Sequence, residues 1–214
     1  MGEPDGGAGP ATGVGVGGGA TPIPAGRPLR FELTWEAGRG ERPVDLDIGC
    51  FYWATDGSRG AVQSVGGRGP DPRSATTADG RELLTLSSDR TDGGSDGERL
   101  VLHRPGSISF LVVHTSIYDG AADFREVGAR ISVRSGRRTL AGITLTSPAP
   151  GLDWCAVVVL GPDGPRLHLA HEERYFRSAF HADRHYGLGL SWGVGHKPGP
   201  GPSADPALPP ARRR

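Results

Sequence analysis

The middle of the chain has too little helical periodicity for a bundle or a parallel α/β fold. Its apolar residues recur at period two, in short runs cut by turn residues. In LRFELTW, Leu29, Phe31, Leu33 and Trp35 fall on one side of an extended backbone, as in a half-buried strand. VDLDIGCFYW puts Leu46, Ile48, Cys50 and Tyr52 on one face; the other face begins with Asp45 and Asp47 and turns apolar at Phe51 and Trp53. SISFLVVHTSIY is β-branched and aromatic, long enough to cross a sheet, and bordered by Pro105-Gly106 and Asp119-Gly120. Two hairpins are expected, ARISVRS with RTLAGITLT across Ser135-Gly136, and WCAVVVL with RLHLAHEERYF across GPDGP. Helical pattern is confined to a turn or two around residues 178–185. The crossover helices that a parallel sheet requires are absent. The expectation is an all-β sandwich of mostly antiparallel strands.

Composition sets the limits of that domain. Residues 1–26 are mostly Gly, Ala and Pro, and residues 198–214 are Pro-rich and end in three arginines. Segments with so little to bury do not offset their ordering entropy, so both read as disordered tails around a domain at 27–197. The start, MGEPDGGAGPATGVGVGGGA, has neither the basic opening nor the apolar core of a secretory leader. No apolar run approaches a membrane span. A cytoplasmic protein is expected. Lys+Arg and Asp+Glu both total 24, so net charge draws the chain to neither nucleic acid nor an anionic membrane. Lys197 is the only lysine, and the arginine excess reads as coding bias rather than a binding surface. Cys50 and Cys155 sit in apolar stretches and read as buried, inert thiols.

One stretch carries chemistry. SSDRTDGGSDGERL, residues 87–100, gathers Asp89, Asp92, Asp96 and Glu98 among glycines. Calcium takes several hard oxygen ligands, carboxylates and carbonyls together, and glycine lets carbonyls turn inward without a Cβ clash. The loop is not an EF-hand, because the twelfth residue from Asp89 is Leu100 rather than Glu. Upstream, Asp45 and Asp47 point to the same side of their strand, roughly 7 Å apart along it. Two readings stand on these residues. The acids belong to a solvated edge, or Asp45, Asp47, Asp89 and Glu98 converge on one or two cations.

The succession VDLDIGCFYW, GAVQSVGG, SDRTDGGSDGERL, SIYDG, WCAVVVL and RYFRSAFHADRHYGLGLSW resembles the TerD-fold tellurium-resistance and stress proteins, nearest to their TerA-like branch. The resemblance spans about residues 27–197. It implies a calcium-binding β-sandwich in which the DLD strand and the acidic loop supply the ligands: Asp45, Asp47, Asp89 and Glu98, with Asp96 added. It also implies a place beside other stress-operon proteins in a larger assembly. The chain departs from the family pattern at Ser88, where a loop aspartate is expected, at Asp92, where glycine is expected, and at Arg99, which follows Glu98 in place of another acid. Fewer carboxylates imply weaker binding or the loss of one of two ions.

Two rival readings keep their place beside calcium. One is a metal-free interaction scaffold whose family site has decayed. The other is a metal-dependent hydrolase built on the late histidines His168, His171, His181 and His185, since a pair four apart on a helix can hold zinc. Against the second, HExxH and CxxC are both missing, and the resemblance implies instead a structural network of His181, Asp183 and Arg184. No nucleophile elbow or phosphate-binding loop occurs. The expectation is a non-enzymatic calcium-binding stress protein.

Overall fold

The structure is a computed structural model that describes residues 20–24, 26–36, 44–63, 73–87, 97–163 and 166–192. Its strands are β1 (Thr21–Pro22), β2 (Leu29–Thr34), β3 (Asp45–Ala54), β4 (Arg59–Gln63), β5 (Ser74–Thr76) and β6 (Glu82–Leu86). They continue as β7 (Glu98–Leu102), β8 (Ile108–Asp119), β9 (Arg130–Ser135), β10 (Arg138–Thr144), β11 (Trp154–Asp163) and β12 (Arg166–Phe176), followed by a helix, α1 (Ala179–Tyr186). Two six-stranded sheets form, ordered β1-β12-β11-β8-β3-β4 and β10-β9-β2-β7-β6-β5. Every strand pair is antiparallel.

The period-two pattern becomes the sandwich directly. Leu29, Phe31 and Leu33 of one sheet meet Leu46, Ile48, Cys50 and Tyr52 of the other in a single buried cluster, the inter-sheet core of a sandwich. Both expected hairpins form, β9 with β10 and β11 with β12. The domain starts earlier than residue 27. Thr21 and Pro22 pair with Leu169 and His168 of β12, and Ile23 is buried in the core. A two-residue strand has no periodicity to read, which is why composition alone assigned these residues to the tail.

The outer face of the first sheet carries a second core. Phe51, Phe110, Val112 and Trp154 are covered there by Ala182 and Tyr186 of α1 and by Leu188 and Leu190 beyond it. Asp183 fastens this cover. Its buried carboxylate accepts from Leu190 N–H at 3.1 Å and from Trp192 Nε1 at 2.8 Å, and burial pushes its pKa up. The expected partners of Asp183 lie elsewhere: His181 meets Ser178 at 2.9 Å, and Arg184 lies over the Phe180 ring. Asp183→Ala strands two donors in an apolar setting and is expected to cost about 2 kcal/mol, read by urea unfolding, with α1 and the segment through Trp192 first to lose hydrogen-exchange protection.

Candidate metal centre

The site grows from one end of β3. Leu46 and Ile48 face the inter-sheet core, so Asp45 and Asp47, on the alternate positions, stand on the outer side, each half-buried. β4 pairs with β3 only over Gly49–Trp53 among the described residues. Beyond that point a side chain from the opposite sheet meets β3. Glu98 occupies an inward-facing position of β7 in line with Leu100 and Leu102, is 1% exposed, and accepts from Ile48 N–H through Oε2 at 2.7 Å. A buried carboxylate is tolerated only where hydrogen bonds or charge meet it. Glu98 therefore braces one sheet against the other at the point where the acidic loop rejoins the fold.

Gly97 fixes the approach. A Cβ there would lie 1.8 Å from the carbonyl oxygen of Leu33, so a residue with no side chain is required for β7 to begin against β2. At the other end of the loop, Ser87 N–H donates to Arg99 O at 2.8 Å, and Arg99 N–H donates to Ser87 Oγ at 2.9 Å. These bonds close the neck of the loop beside Glu98. Asp89 and Asp96, the other two expected ligands, lie outside the described residues, as do Ser88 and Asp92.

Asp45, Asp47 and Glu98 come to the same stretch of β3 from two sides, the aspartates from the outer face and the glutamate from the core. Among the described residues no three His, Cys, Asp or Glu side chains gather closely enough to hold a metal ion. Sequence reasoning passed over Asp119, which pairs with Asp45 across β3 and β8 and whose Oδ1 accepts from Gly120 N–H at 2.8 Å. Its SIYDG motif gave a signal, but no spacing rule ties it to a residue some seventy positions upstream. Asp47 is paired with Ser116, which adds a hydroxyl on the same face. The register slips by one residue between these two pairs, and Tyr118, in the slip, stands 69% exposed.

His114 was also missed. It pairs with Gly49, two rows along the β3–β8 ladder from Asp47 and Ser116, and is 2% exposed. Its ring stacks on Trp154 at 4.4 Å and tilts against Phe51 at 5.2 Å. Neither ring nitrogen has a hydrogen-bond partner. Burial pulls its pKa down to about 3, so the ring is neutral at physiological pH. Gly49 makes the seat, because a Cβ there would meet the imidazole at 2.7 Å.

The late histidines do not converge. His168 lies 4.0 Å from Asp163 and His171 3.3 Å from Glu173, while His181 turns to Ser178 and His185 packs on the Phe176 ring. The two cysteines are free and fully buried, and burial pushes both thiols well above their ordinary pKa. They are poor nucleophiles in the folded protein.

No protein-family model matches the chain. Over 182 residues it is 23% identical to the tellurium resistance protein TerA of Alcaligenes sp, covering 79% of this chain and 52% of that one. It thus spans about half the length of the curated relative it matches. The crystal structure of a homologue of the telluride resistance protein TerD from Streptomyces coelicolor A3(2) superposes with a TM-score of 0.53 at 20% identity, over 71% of this chain and 91% of that one. A crystal structure of a protein of unknown function, SAV2460, does so with a TM-score of 0.54 at 19% identity, over 72% and 92%. The chain thus shares its fold with the TerD homologue and with SAV2460, and it is similar in sequence to TerA over most of its length.

Proposed function

We propose that the protein is a non-enzymatic, calcium-binding member of the stress response associated with tellurium resistance. Calcium is held between Asp45 and Asp47 on β3 and the loop carboxylates Asp89 and Asp96, with Glu98 anchoring the base of that loop. The observation that carries this reading is the Glu98 to Ile48 N–H bond, which ties the C-terminal end of the acidic loop to the DLD strand, while the Ser87–Arg99 bonds hold the two ends of the loop together. Hard carboxylate oxygens on a glycine-rich loop suit calcium rather than a thiophilic metal. The ion neutralises acids that otherwise repel, orders the loop, and offers the ordered end to other proteins of the same response.

The test is thermal melting of chelator-treated protein with and without millimolar Ca²⁺. At a concentration one hundred times the dissociation constant, binding adds about 2.7 kcal/mol, a rise of roughly 5–10 °C for a domain this size. Asp89→Ala is expected to abolish the rise while staying folded. A parent that melts alike with and without calcium means the family site has lapsed and the chain serves as a metal-free scaffold. Ser88 and Arg99, which stand where the family pattern has acids, favour that second reading.

A further inference from the structure

The two sheets differ in what covers them. The outer face of the first lies under α1, whereas across the outer face of the second, arginines from three strands meet. Alternation in β2, β7 and β9 sends Arg30, Arg99, Arg130 and Arg134 outward. Cross-strand register sets Arg134 opposite Arg30, Glu32 between Arg99 and Ser132, and Arg130 opposite Thr34. On β2, β7 and β9, four arginines thus share the outer face with one carboxylate, in a chain whose net charge is zero.

Glu32 is already engaged. It lies 3.4 Å from Arg99 Nε and 4.0 Å from Arg30 Nη1 and accepts from Ser132 Oγ at 3.4 Å. Arg130 and Arg134 have no ion pair among the described residues, and Arg134 Nε has no acceptor. Like charges directly opposite one another destabilise a sheet, so the Arg30–Arg134 pair is a cost that an anionic partner would offset. Gly142 of edge strand β10 lets Arg130 reach outward: its Nη2 lies 2.7 Å from where a Cβ would stand.

We propose that this face docks an extended, aspartate- and glutamate-rich segment of a partner protein. Arg130 and Arg134, four residues apart on one strand, are spaced roughly 13 Å along it. An extended peptide with acids at every second position matches that spacing. Guanidinium forks donate paired N–H bonds to carboxylates, which accept them in bidentate fashion. Single-stranded nucleic acid fits less well, because the outward positions of β2, β7 and β9 carry no aromatic ring for base stacking, and Glu32 at the centre repels a continuous run of phosphates.

The test uses the full chain and a fluorescein-labelled peptide of alternating Glu and Ser, followed by anisotropy at low and at physiological salt. Binding is expected to weaken as salt rises and to fall by about tenfold or more in Arg134→Glu and in Arg130→Glu. Arg134→Glu turns a repulsive pair into an attractive one, so its melting temperature should hold or rise, which separates lost binding from lost folding. Absence of binding at low salt, or undiminished binding by both variants, overturns the proposal. So does tighter binding of a single-stranded oligonucleotide of equal charge.

Discussion

Glu98→Ala is expected to destabilise the protein by about 3 kcal/mol without any metal present. The carboxylate is fully inside the sandwich and accepts Ile48 N–H from the opposite sheet. Truncation leaves that donor unmatched in a buried setting, which costs about 1–3 kcal/mol, and the lost side chain leaves a cavity inside the sandwich, a further cost. Glu98→Gln keeps an acceptor and the volume, and should lose less than about 1 kcal/mol. Urea unfolding in chelator separates the two. Equal stability of Glu98→Ala and the parent would mean that the brace carries no weight in the fold.

Acid is expected to weaken the protein through His114. The folded pKa is pulled down to about 3 from an ordinary 6.5. As pH falls below 6.5, the unfolded chain gains a proton that native His114 refuses, so stability drops by about 1.4 kcal/mol per unit until the folded pKa is reached. Near pH 4.5 this one ring accounts for about 2.7 kcal/mol. His114→Phe keeps an aromatic stack on Trp154 and removes two unmatched nitrogens. It should match or exceed the parent at neutral pH and show a stability slope shallower by one proton between about pH 6 and pH 4.5. Identical slopes in the two proteins would place the ring in contact with water in the native state.

Strand pattern made most of the architecture legible. The two-faced reading of β3 survived whole, with Leu46, Ile48, Cys50 and Tyr52 inside and Phe51 in the second core, because period-two alternation reports burial directly. The acidic loop was visible as composition, and its neighbour strand as a motif. What could not be seen was pairing. Asp119 reaches Asp45, and His114 reaches Gly49, only through the β3–β8 register, which no local spacing encodes. The arginine excess, beside a single lysine and a heavy Gly, Ala and Pro content, reads as coding bias, and positions 30, 99, 130 and 134 lie scattered along the chain. Strand order β9-β2-β7 brings them onto one face. Thr21 and Pro22 were lost for a different reason, since a strand of two residues leaves no pattern at all.

Calcium titration by calorimetry tests the central claim most directly, with chelator-treated full chain alongside Asp47→Asn and Asp89→Ala. The account predicts saturable binding by the parent, weakened about tenfold or more in each variant, because each removes a charged oxygen from the same ion. Absence of a binding heat in the parent, together with an unchanged melting temperature, would contradict it. So would calcium binding that both variants retain in full.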